Sequence, residues 1–91
     1  MVTFGIKFSI DCMFDLDSQI EQFYSLLSEK PDFVSVDFGI NDGHVSALVG
    51  VEAPEEGEAI RKVVDAVSTS LNIVDLFGDV QVSNVAVWET V

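Results

Sequence analysis

The side chains able to do chemistry in this sequence are few. Asp11, Cys12, Asp15 and Asp17 fall close together in DCMFDLD, and His44 is the only histidine. Three carboxylates so near one another could hold a cation. A calcium loop, however, sets Asp and Asn at alternating positions around a glycine turn, and that pattern is absent. Cys12 is a poor nucleophile, because acidic neighbours disfavour a thiolate. His44 has no nucleophile at a motif spacing from it. Asp15, Asp17 and Ser18 are instead good N-cap residues, and Ser18 with Glu21 fits a capping box. A second acidic cluster, EAPEEGE at 52–58, reads the same way. Pro54 suits a first helical position, with Glu55 and Glu56 in the first turn, where the helix dipole favours negative charge. Phosphate-cradling glycine loops and nucleophile elbows are missing. No catalytic, cofactor-binding or metal-binding residue is assigned, and the chain is expected not to be an enzyme.

Composition narrows the partners. Among 91 residues, 48% are hydrophobic and 22% charged, a globular balance. The formal net charge is −12. Lys7, Lys30, Arg61 and Lys62 are the only basic residues, too few to neutralise a nucleic-acid backbone. The same charge disfavours anionic membranes. It leaves basic proteins, cations or plain solubility. A lone cysteine and the lack of a signal-like N-terminus point to the cytoplasm.

The apolar pattern supplies the elements. Residues 2–11 alternate, with Val2, Phe4, Ile6, Phe8 and Ile10 on one face and Thr3, Gly5, Lys7, Ser9 and Asp11 on the other. Leu16, Ile20, Phe23, Tyr24 and Leu27 recur at helical spacing, so a helix is expected over 17–29, ending before Pro31. Residues 33–40 alternate again through Val34, Val36, Phe38 and Ile40. Asp42-Gly43 is a two-residue hairpin signal. A returning strand over 44–52 turns Val45, Ala47, Val49 and Val51 inward. Ile60, Val63, Val64, Val67 and Leu71 form the stripe of a second helix over 54–71. The segment 72–79 is too apolar for a bare surface loop, which suggests an extra turn or a strand extension. A last strand over 80–89 slips its alternation at Ser83-Asn84, the mark of a β-bulge.

The expectation is one domain, 1–91, ordered strand, helix, strand, strand, helix, strand. One apolar face per element implies an antiparallel sheet with both helices on one side, its first and third strands central. This order resembles the ferredoxin-like split βαβ arrangement, which implies an α+β two-layer sandwich. The residues depart from several families of that topology. The open strand faces lack the stacking aromatics of RNA-recognition modules. Cys12 has no second cysteine three residues on, as heavy-metal carriers require. DCMFDLD would repel the phosphate that acylphosphatases bind. Regulatory domains that sense amino acids remain compatible. The second half, rich in Val, Ala and Glu, is similar to small acidic proteins of actinobacteria and their phages.

Attention therefore falls on the open sheet face. Gly5, Lys7, Ser9, Ser46, Leu48 and Gly50 leave it small and flat, with Trp88 expected at its edge. These seven residues are the candidate partner-binding set, because small residues allow close approach. The expected function is a non-enzymatic protein-interaction module, self-associating or binding a partner. Two alternatives are an acidic phage or mobile-element inhibitor that mimics nucleic acid toward a basic host protein, and a small-ligand regulatory domain.

Overall fold

Strict alternation makes the central strands. In the computed structural model, which describes residues 2–14, 17–41 and 44–90, β1 runs Val2–Met13 and β3 runs His44–Ala53. Phe4, Ile6, Phe8 and Ile10 of β1 and Val45, Ala47, Val49, Val51 and Ala53 of β3 are all buried on one side. Strands β2 (Phe33–Asn41) and β4 (Asp79–Thr90) flank them in the order β2-β3-β1-β4, every pair antiparallel. Helices α1 (Asp17–Ser28) and α2 (Glu56–Ile73) touch each other and cover the apolar side. The fold is a ferredoxin-like α+β sandwich, with β1 and β3 central as the element order implied.

Helix α1 anchors through aromatics. Phe23 is fully buried, with ring centroids 5.4 Å from Phe14 and 5.6 Å from Phe38. Tyr24 meets Phe38 edge-on at 5.1 Å, and its hydroxyl donates to the Val36 carbonyl at 3.2 Å. Ser18 lies inside α1, so it is not the N-cap the capping box required. The cap candidate Asp15, the side chains of Cys12 and Asp17, and the Asp42-Gly43 turn lie outside the described residues.

Helix α2 begins two residues later than the proline suggested. Glu55 is the N-cap, extended at φ −151° with no side-chain capping bond, and Pro54 precedes it. Glu56 and Glu58 occupy the first turn, and Glu58 pairs with Arg61 at 2.6 Å. EAPEEGE is thus a strand end, a bend and a helix start, its carboxylates spread over all three.

The apolar segment after Leu71 is a helix stop. α2 continues to Ile73, and then Asp75 adopts a left-handed φ of 63°. The Leu76 N–H donates to the Leu71 carbonyl at 2.9 Å and the Asp75 N–H to the Asn72 carbonyl at 3.2 Å. These are the two bonds of a Schellman motif, with Leu76 returned onto the core. A left-handed residue with a Cβ is strained, so Asp75→Gly is expected to stabilise the fold by about 0.5–1 kcal/mol. A thermal melt should register this as a rise of roughly 2–8 °C.

Both edge strands carry bulges. In β4, Lys7 pairs with Asn84 and Phe8 with Val82, so Ser83 is the extra residue, where the slipped alternation located it. Its hydroxyl donates to the Lys7 carbonyl at 3.2 Å. A second β4 bulge lies between Val87 and Glu89, which pair with Phe4 and Thr3, leaving Trp88 over. In β2, Phe33 pairs with Val51 and Ser35 with Gly50, leaving Val34 over. This corrects the expected facing. Phe33, not Val34, enters the core, because the bulge changes parity before Ser35, and Val34 is 52% exposed.

Candidate functional site

The open face of the sheet carries the site candidates in register. Gly5 pairs with Gly50, Lys7 with Leu48 and Ser9 with Ser46, so six of the seven expected residues form three adjacent cross-strand pairs on the two central strands. The seventh, Trp88, belongs to the edge strand β4, but its ring reaches the centre. A Cβ added to Gly5 would fall within the indole, against Cε2, Nε1 and Cζ2. One added to Gly50 would lie 2.8 Å from Cζ3 of the same ring. Three ring atoms crowding one Cβ position mean that the face of the indole rests on the β1 backbone. The two glycines are buried beneath it, while Trp88 itself stays 46% exposed.

This changes the reason for the glycines. Their small size admits the protein's own tryptophan, and so they are not bare ground for an approaching partner. Val34 comes from the opposite edge, and its Cγ2 lies 2.9 Å from the Gly50 Cβ position. A bulge re-aims a side chain by breaking the alternation of its strand. Here two bulges, on the two edge strands, turn Trp88 and Val34 over one central glycine pair. Leu48, 37% exposed, is two residues before Gly50 on the same face of β3.

Charge surrounds this apolar centre. Glu52 and Glu89 both pair with Thr3, from β3 and β4, and so stand in one row beside the glycine row. Two strand spacings put their backbones about 10 Å apart. Asp37 pairs with Leu48, and Asp11 with Asp79. Among the described residues the face presents these five carboxylates against Lys7, with His44 at one end. Val34, Asp37, Glu52 and Glu89 were not in the candidate set. Glu52 carried an outward parity in the sequence, but its alignment with Glu89 appears only once the register is known.

Two depressions mark the lower half of the face. One, of about 210 Å³, lies along Lys7, Asp37, Gly39, Ser46 and Leu48. The other, of about 310 Å³, is lined by Ser9, Asp11, His44 and Gln81. A third cleft of about 270 Å³ separates the α1–β2 connection from α2. There Lys62 is already engaged, with Asp32 at 3.2 Å and the Glu52 carbonyl at 3.0 Å. All three are shallow; two fall below about 300 Å³, the smallest volume usual for small-molecule sites, and the depression beside His44 barely exceeds it. Among the described residues no three His, Cys, Asp or Glu side chains are grouped to hold a metal. No helix among them is long and apolar enough to cross a membrane. Phe77, 83% exposed, precedes the far end of β4 from Trp88 and takes no part in the face.

No protein-family profile matches the sequence, and a search of curated proteins finds no match.

Proposed function

We propose that this protein is a non-enzymatic interaction module that binds another protein through the open face of its sheet. One observation carries the reading: bulges on both edge strands bring Trp88 and Val34 over the Gly5–Gly50 pair, with Leu48 beside them. Tryptophan is enriched at the energetic centres of interfaces, where a rigid, large surface is covered at low entropic cost. An apolar centre within a polar rim is the usual anatomy of such a surface.

The partner in this reading is basic. Stacking two copies face to face would oppose five carboxylates with five, and each copy carries −12 overall. Self-association is therefore the less favoured occupant. A cytoplasmic setting belongs to the same proposal. An inhibitor that mimics nucleic acid would draw on charge alone and should release its partner by about 0.5 M salt, where the Debye length is roughly 4 Å. A partner seated on Trp88, Val34 and Leu48 should weaken there but remain.

Leu48→Asp places a charge in the centre of the face, and Ser68→Asp places the same charge on the exposed side of α2. Affinity capture from the native host, quantified by mass spectrometry, should show a partner kept by wild type and Ser68→Asp and lost by Leu48→Asp. Identical partners on all three, with sedimentation showing the same oligomeric state, would overturn the proposal.

A further inference from the structure

We infer that the outer face of Trp88 receives an arginine side chain of the partner, with Glu52 and Glu89 as its counter-charges. This inference deepens the reading of the open face as an interaction surface and rests on it.

The indole has one face on the Gly5 and Gly50 backbone and about half its surface open to solvent. The faces of aromatic rings are electronegative and attract cations, indole most of all. Glu52 and Glu89 stand in the row next to the ring, on the two sides of Thr3. Neither carboxylate takes part in an ion pair among the described residues. The bond from Lys62 goes to the Glu52 main-chain carbonyl, leaving that carboxylate out of it. Arg61, Lys62 and Lys30 belong to the helices and the α1–β2 connection, and Lys7 is two rows away from Thr3 along β1. An arginine fits this arrangement better than a lysine. Its planar guanidinium stacks on an aromatic face, and its edge donors remain free to bond carboxylates in the same plane. Trp88 alone would accept any apolar group. The carboxylates beside it make the site selective for a cation.

Trp88 is the only tryptophan in the chain, so its fluorescence reports this site directly. The probe is a capped tetra-arginine peptide, titrated into the full chain at about 50 mM salt, where charge contacts are little screened. The expected result is a saturable change in emission, weaker with tetra-lysine. Glu52→Gln with Glu89→Gln should weaken binding by about tenfold or more. Glu55→Gln with Glu56→Gln removes the same charge at the start of α2 and should change it less than about twofold. Equal losses in the two double variants would reduce the effect to general charge and overturn the inference, as would the absence of a saturable change. The two proposals fail separately. If arginine leaves Trp88 unchanged while Leu48→Asp still loses the partner, the cation seat falls and the interaction face stands. If both experiments are negative, both fall.

Discussion

Gly5→Val should unseat Trp88, lower stability by about 1.5–2.5 kcal/mol and shift the tryptophan emission to longer wavelength. The Cβ of any residue at position 5 would fall within the indole, so the ring must leave the sheet or β4 must move. A tryptophan roughly half covered has about 100 Å² in contact, worth about 2.5 kcal/mol at 25 cal/mol per Å². Valine returns up to about 1 kcal/mol of that through its better fit to a strand. The melting temperature should fall by roughly 6–20 °C. A double-mutant cycle separates the clash from the backbone term. In a Trp88→Ala background the ring is gone, and Gly5→Val should become neutral or stabilising. Wild-type stability in Gly5→Val alone would mean that the indole does not rest on the glycine pair.

Phe23→Ala should have a still larger effect on stability and should act on the other layer. Phe23 is fully buried and joins α1 to Phe14 and, through Phe38, to β2. Truncating a buried phenylalanine costs about 3–5 kcal/mol, from lost transfer energy and the cavity left behind. A chain of this length holds on the order of 5–14 kcal/mol in total. Chemical denaturation should therefore show the midpoint moved far toward zero denaturant. Phe23→Leu, which keeps most of the volume, should cost less than about 1.5 kcal/mol. A loss below 1 kcal/mol in Phe23→Ala would mean that α1 is not held by this cluster.

Much of the fold was legible in the sequence because two of the strands are strictly periodic. Val2 to Asp11 and His44 to Glu52 alternate without interruption, and they became the central pair. The Ser83 bulge was legible too, since Val82 and Val85 have opposite parity and both pack against the core. The β2 bulge was hidden, because Phe33 and Val34 are both apolar and either could have been the buried one. Pro54 misplaced the start of α2, because proline suits a bend before a helix as well as its first turn. The stop after Ile73 depends on a left-handed aspartate, a conformation that composition does not announce.

The site was legible as a location and not as a mechanism. Parity alone set Gly5, Lys7, Ser9, Ser46, Leu48 and Gly50 on one face. It did not reveal that the glycines lie under Trp88, because that contact depends on a second bulge in β4 and on the pairing of Gly5 with Gly50. The row of Glu52, Thr3 and Glu89 likewise needs the registers of two strand pairs. Three segments far apart in the chain meet there, and no local pattern encodes their meeting.

The most direct test of the interaction face is site-specific photo-crosslinking in the native host. A benzophenone amino acid is placed at Leu48 in one variant and at Ser68 in another, each at normal expression. The Leu48 probe should yield one discrete adduct with a different, basic protein, and the Ser68 probe should yield none. No adduct from Leu48, or the same adducts from both positions, would contradict the assignment of the open sheet face as the binding surface.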